Sequence, residues 1–261
     1  MLSKKKEKVQ VLSTAKLAEG IYEMWLKTDM AQERGAGRFI ALYPKNKATL
    51  LPRPISICER DAERGALRIV YRVAGEGTKE FSTYRKGDTA EMLGVLGNGY
   101  PLKEAEGKTA LLMGGGIGIP PLLELAKELR EIPCNVQIVL GYRDGDLFLK
   151  RDFMEFGEVF IAAEDGSAGV KGNVLDAVRE HKLKADLIYS CGPMPMLRAI
   201  KRYAAETGIP AWISLEERMA CGVGACLGCV CKTVKEDAHS HVHNARICTD
   251  GPVFPAEDVD I

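Results

Sequence analysis

The sequence predicts an antiparallel β-barrel, then an α/β domain built on a five-stranded parallel sheet, then a small C-terminal unit stapled through cysteines. Three observations carry this. Residues 1–103 hold short alternating runs bounded by turn residues, residues 104–215 alternate continuous apolar runs with helix-period segments, and residues 216–261 concentrate five of the eight cysteines where apolar periodicity stops. No Gly/Ser-rich linker separates the three parts, so they are expected to pack together.

In the first part, KVQVLSTAKL, GIYEMWLKT, GRFIALYP, RPISICER, LRIVYRVAG and DTAEMLGVLG read as six barrel strands. Alternation is lost from Thr78 to Tyr84, which predicts a helical insertion. From Lys108 the strands are TALLMGGG, VQIVLGYR, VFIAAEDG, ADLIYSCGP and AWISLE, and the helices PPLLELAKELRE, VLDAVREH and MLRAIKRYAAETG. The last part is too poor in apolar residues to hold a fold unaided, which is the usual reason for a metal staple.

The chain has 261 residues, 46% hydrophobic and 28% charged, enough for two or three packed units. Its 36 basic and 36 acidic side chains cancel, and the pI is near 6.9. That balance removes the long-range attraction that nucleic acid or an anionic membrane would supply, so neither is expected as partner. No apolar run approaches the roughly 18 residues of a membrane span, and MLSKKKEKVQVL lacks the apolar stretch of a signal peptide. A cytoplasmic location is expected, where clustered thiols bind metal rather than form disulfides.

The strongest chemical signal is Cys221-x4-Cys226-x2-Cys229, with Cys248 after a longer interval. The first three match the spacing that wraps three thiolates around a [2Fe-2S] cluster while a distant fourth closes it. Gly222, Gly224 and Gly228 suit such a loop, because backbone amides must approach the inorganic sulfurs. Structural zinc is the alternative: one C-x2-C pair is present, and His239, His241 and His243 offer nitrogen ligands. Cys231 is surplus to a four-ligand site and reads as a packed neighbour, whereas Cys58, Cys134 and Cys191 read as buried small apolar residues.

A second signal is MGGGIGIPPLLELAKEL, where Gly114, Gly115, Gly116 and Gly118 end a strand and two prolines open a helix. Such a turn aims helix N-terminal amides at a phosphate, and the glycines admit it closely, although this is not the GxGxxG pattern and similar turns occur without ligand. Two further strand ends, one at Asp165 and one at Cys191-Gly192-Pro193, fall on the same sheet edge, where ligands of open α/β sheets bind. The third signal is Arg53-Pro54-Ile55-Ser56, followed by Tyr71-Arg72 and Gly77-Thr78. A cation, a hydroxyl and helix-opening amides of this kind can hold a diphosphate or a ribityl chain.

Taken together, RPISI, GEGT, GGGIGIPP, CGP and the cysteine loop resemble the ferredoxin-reductase type of flavoprotein with an added [2Fe-2S] domain. The wording SLEERMACGVGACLGCVCKT and RICTDGPVF is similar to the electron-transfer subunits of class 1B dihydroorotate dehydrogenases, and the likeness runs over essentially the whole chain. A departure is the VKEDAHSHVHNA stretch before Cys248, longer than the family pattern. The resemblance implies that Arg53, Pro54, Ile55, Ser56, Val70, Tyr71, Arg72, Gly77 and Thr78 hold FAD, that Cys221, Cys226, Cys229 and Cys248 hold the cluster, and that the α/β domain binds NAD(H).

A nicotinamide gives up electrons in pairs and an iron–sulfur cluster takes them singly, so a flavin between them performs the conversion. No residue stands out as an acid or base for substrate chemistry. The resemblance implies a partner subunit that carries FMN, oxidises dihydroorotate in pyrimidine synthesis and forms a two-plus-two heterotetramer with this chain. Two alternatives are the small subunit of an NADPH:ferredoxin oxidoreductase or sulfide dehydrogenase complex, and a zinc-stapled binding protein without redox activity.

Overall fold

The computed structural model describes residues 4–236 and 241–261; His239 lies outside the described residues. Six strands, β1 (Lys5–Ala18), β2 (Ile21–Lys27), β3 (Phe39–Tyr43), β4 (Arg53–Asp61), β5 (Ala66–Arg72) and β6 (Thr89–Leu96), close into an antiparallel barrel in the order β1-β2-β5-β4-β3-β6. All six predicted strands are present. Alternation drives closure: Val9, Val11, Met24, Leu26, Ile40, Leu42, Leu67, Ile69 and Met92 point inward and form one buried cluster. The helical insertion is α1 (Glu76–Phe81), which begins two residues before the predicted start. The Thr78 hydroxyl accepts from the Ala74 and Gly75 amides at 2.9 and 3.2 Å, so Thr78 sits inside the first turn and closes it from within.

The second sheet has seven strands where the sequence reading counted five. The five expected are β7 (Thr109–Gly115), β8 (Asn135–Tyr142), β9 (Glu158–Ala163), β11 (Leu187–Cys191) and β12 (Ala211–Ser214). At one edge a two-residue parallel strand, β10 (Val170–Lys171), pairs with β9. At the other, the hairpin β13 (Val230–Lys232) and β14 (Asn244–Arg246) is followed by β15 (Val253–Pro255), which returns to pair antiparallel with β12. Strands of two or three residues leave no periodicity to read. Helices α2 (Pro121–Leu129), α3 (Lys150–Phe153), α4 (Val174–Glu180) and α5 (Met194–Thr207) complete the domain. Of these only α3, a single turn, escaped the sequence pattern. Among the described residues, no helix is long and apolar enough to cross a membrane.

Two further clusters of buried side chains join the parts. One combines Ile21, Ala36, Cys58 and Val70 of the barrel region with Leu112, Ile119, Leu122 and Leu125 of the α/β domain. The other brings Phe39 and Leu96 against Met113, Ile188, Ile213, Cys229, Cys248 and Phe254. The C-terminal segment is therefore richer in core than its sequence suggests: Ile247, Val253, Phe254, Ala256 and Val259 are all buried.

Candidate functional site

A cavity of about 750 Å³ opens where the three parts meet, within the range of cofactor pockets. From the barrel it is lined by Arg53, Pro54, Ile55 and Ser56 at the start of β4, by Val70, Tyr71 and Arg72 at the end of β5, and by Thr78. Eight of the nine residues singled out for FAD thus share one wall. Gly77 backs it: a Cβ there would lie 2.9 Å from Arg53 Nε, so the glycine lets the guanidinium lie against the helix start. Arg53 Nη1 donates to Leu51 O at 2.6 Å, which holds the strand end in place. The Tyr71 hydroxyl is buried without a hydrogen-bond partner among the described residues, a donor available to a bound group.

Another part of the lining belongs to the family-like stretch but has no role assigned from the sequence. Ser214, Leu215, Glu216, Glu217, Arg218 and Met219 run along it directly after β12, and Pro252 and Phe39 complete it. Glu216 lines the cavity and is exposed there, and desolvation by the surrounding protein raises its carboxyl above the usual range. Two residues past Met219 the chain reaches Cys221, so the cavity wall continues into the cysteine loop. The loop rests on the barrel as well: a Cβ on Gly222 would lie 3.1 Å from Leu96 Cδ1.

The cysteine loop folds back on its own thiols. Cys221 Sγ accepts from the Val223 and Ala225 amides at 3.4 and 3.3 Å, Cys226 Sγ from Gly228 at 3.4 Å, and Cys229 Sγ from Cys248 at 3.4 Å. Gly222 and Gly224 adopt φ of 67° and 85°, which turns those amides inward. The amide bonds bring the thiols together: the Ala225 amide, next to Cys226, holds Cys221 Sγ, and the Cys248 amide holds Cys229 Sγ. Burial raises the Cys221 thiol, but the amide bonds and the contact with Cys226 outweigh it and bring it down to about 6. Burial, with the hydrogen bond and charge of Cys229 added, pushes Cys248 up to about 12. Among the described residues, no three His, Cys, Asp or Glu side chains converge on a single-ion site. The x4 and x2 spacing of the loop, with amides turned onto the sulfurs, suits two irons, whereas tetrahedral zinc typically takes paired C-x2-C knuckles, of which the sequence has one. The donors present therefore fit a [2Fe-2S] cluster.

Cys231 lies on β13 opposite Ala245 and packs against the buried cluster around Cys229. Burial raises its thiol. Cys231→Ser is expected to leave the visible absorption of the cluster unchanged. An altered spectrum would make it a ligand. His241 and His243 are exposed.

The glycine turn is held by close approach. A Cβ on Gly118 would lie 2.5 Å from the backbone of Cys191, one on Gly115 2.6 Å from Met196 Sδ, and one on Gly114 3.1 Å from Ile119. The turn Gly114–Gly118 and the strand end at Cys191, Gly192 and Pro193 are thus in contact, as expected for one ligand site. The turn also reaches the cavity: Ile117 lines it, and a Cβ on Gly116 would lie 3.7 Å from Arg72 Nη2. Asp165 is not brought into this group. It follows β9, two strands from β7, and its Oδ1 accepts from the Ser167 amide and hydroxyl at 2.9 and 2.6 Å, bonds that hold the carboxyl below its usual range.

Residues 216–260 match the family model for the iron-sulfur cluster binding domain of dihydroorotate dehydrogenase B. The dihydroorotate dehydrogenase B (NAD(+)) electron transfer subunit of Bacillus pumilus (strain SAFR-032) is 45% identical over 259 residues, 98% of each chain. Its namesake in Bacillus cereus (strain B4264) is 42% identical over 97% of this chain and 98% of its own. Among solved structures, the NADH-dependent reduced ferredoxin-NADP oxidoreductase studied for flavin-based electron bifurcation superimposes with a TM-score of 0.86 at 30% identity, covering 97% of this chain and 89% of that one. The ferredoxin reductase of carbazole 1,9a-dioxygenase, at 21% identity and a TM-score of 0.68 over 80% and 68% of the two chains, shares the fold. By near-full-length identity on top of this site, the chain belongs to the family of dihydroorotate dehydrogenase B electron transfer subunits.

Proposed function

We propose that this chain carries electrons between NAD(H) and a partner subunit bearing FMN that oxidises dihydroorotate, by way of FAD and a [2Fe-2S] cluster. The observation that carries the reading is the shared wall: residues 214–219 line the cavity and run on into Cys221, so a flavin site and a cluster site adjoin within one chain. Bound FAD would accept electrons in pairs and the cluster pass them singly, and that is the chemistry the two groups supply.

The chain's own residues bind and orient. Arg53 offers a cation and Ser56 a hydroxyl at the flavin wall, Gly77 and Thr78 present the start of α1, and Gly114, Gly115, Gly116 and Gly118 with Cys191, Gly192 and Pro193 form the dinucleotide site. Cys221, Cys226, Cys229 and Cys248 hold the cluster, with the amide bonds to their sulfurs stabilising the thiolates. We assign FAD to residues 1–103, NAD(H) to 104–215 and the cluster to 216–261. Val223 and Leu227 on the cysteine loop are 41% and 63% exposed, apolar surface suited to a partner covering the cluster in a two-plus-two assembly. The clustered thiols suit a reducing, cytoplasmic setting.

Metal and flavin analysis tests the assignment: about two irons, two labile sulfides and one FAD per chain are expected. Zinc in place of iron after anaerobic purification would refute it. NADH is expected to reduce the flavin faster than NADPH. After β8, Asp144 and Arg143 are both exposed, the first suited to a ribose hydroxyl and the second to a 2′-phosphate, and the names of the relatives favour the first. Stopped-flow reduction with each donor decides, and a clear NADPH preference would favour the alternative closer to the ferredoxin-NADP oxidoreductase.

A further inference from the structure

Hydride crosses between a nicotinamide and a flavin only when the reacting atoms stand about 3–3.5 Å apart, so the placement of the α/β domain against the barrel governs the rate. Many two-domain enzymes leave that placement to a closing movement. The interface here is built differently.

Arg60 lies near the end of β4, the strand whose beginning lines the flavin cavity, and its side chain is only 9% exposed. Its Nε stands 2.9 Å from Glu124 Oε1 and its Nη2 3.2 Å from Glu128 Oε1. Both glutamates belong to α2, the helix that the glycine turn opens into, and their side chains are 1% and 2% exposed. Barrel-side backbone amides engage the carboxylates too. The Arg60 amide donates to Glu124 Oε2 at 2.8 Å, and those of Ala36 and Gly35 donate to Glu128 at 3.0 and 3.2 Å. Lys127 of the same helix donates to Arg60 O at 2.9 Å. A second bridge joins Arg68 of β5 to Asp152 of α3 at 2.7 Å.

Apolar packing surrounds these groups and would bind the domains by itself. Burying three charges adds little to affinity, because desolvation offsets attraction. What they add is direction. Arg60 Nη2 and the Ala36 and Gly35 amides hydrogen-bond Glu128, and the Arg60 amide hydrogen-bonds Glu124. The Arg60 Nε–Glu124 Oε1 contact adds charge pairing, so the two elements meet in one register, whereas apolar surfaces tolerate sliding.

We propose that Arg60, Glu124 and Glu128 form an interdomain clamp that holds the glycine turn at a fixed distance from the flavin cavity, so that the nicotinamide meets the flavin without domain closure. They are positioning residues, touching neither ligand. The inference rests on the flavin and nicotinamide assignments above.

The test uses the cofactor-loaded chain and the variants Arg60→Ala, Arg60→Lys and Glu128→Gln, with two readouts. In anaerobic stopped flow, the limiting rate of flavin reduction by NADH is expected to fall about 10- to 100-fold in Arg60→Ala. Its apparent Kd for NADH should stay within about twofold, since the ligand contacts remain. Arg60→Lys should recover part of the rate. In deuterium exchange without NADH, peptides spanning residues 114–119 are expected to take up label faster in each variant. An unchanged limiting rate with unchanged uptake would overturn the proposal, as would a rate loss explained wholly by weaker NADH binding. Should Arg60→Ala fail to fold, Arg60→Lys and Glu128→Gln are judged by the same criteria. A wild-type chain that NADH does not reduce would refute the assignments instead, and the exchange readout alone would then decide the clamp.

Discussion

Cys226→Ser is expected to abolish electron delivery to the partner while sparing hydride uptake by the chain itself. Cys226 is exposed, and its sulfur is held by the Gly228 amide at 3.4 Å. Loss of a ligand should exceed the roughly 10- to 100-fold cost of losing an outer hydrogen bond to a metal site. The measurement has two arms. With the FMN subunit added, NAD-linked orotate formation should fall at least about 100-fold, whereas ferricyanide reduction by NADH should persist, because the flavin wall of β4 and β5 lies outside the cysteine loop. The unmodified chain alone should reduce ferricyanide yet fail to oxidise dihydroorotate. Coupled turnover that survives without the cluster would break the proposed path.

Gly118→Ala is expected to cost the dinucleotide site most of its function. The added methyl would lie 2.5 Å from the carbonyl carbon and oxygen of Cys191 and from Gly192 Cα, all backbone atoms that cannot swing aside. Overpacking of this kind costs about 1–3 kcal/mol, or a Tm decrease of roughly 2–4 °C per kcal/mol in a chain of this size. Separating the two loops should lower flavin reduction by NADH at least about tenfold, one order of magnitude per 1.4 kcal/mol of lost alignment. Flavin content and the cluster spectrum should remain as in the parent. Wild-type reduction kinetics in a folded Gly118→Ala chain would show that the turn does not contact the nucleotide.

What the sequence made legible depended on whether local chemistry leaves a periodic or spaced trace. The barrel strands alternate because one face is buried, and the cysteine spacing is set by the loop that must wrap its ligands. Arg53 to Ser56 could be singled out because a cation and a hydroxyl sit together on a strand. Glu216 to Met219 open the family-like stretch but carry no residue pattern of their own that points to a cavity: they reach it because β12 ends beside it. The same holds for Arg60, Glu124 and Glu128. In LLELAKEL the glutamates look like the solvated face of an amphipathic helix, yet both sides of α2 are covered, and the charges are buried against the barrel. Asp165 is a strand-end acid with one carboxylate oxygen bonded within its own turn by Ser167.

The position of β15 beside β12 bears on biogenesis. The chain leaves the sheet at Ser214, makes the whole cysteine excursion, and re-enters at Val253 opposite the residue it left, so the cluster loop is a closed ring fastened at both ends by strand pairing. A tethered ring has already lost much of the freedom that a dangling tail would surrender on ligation. Cluster ligation is then expected to order a loop whose two ends β12 and β15 already hold together.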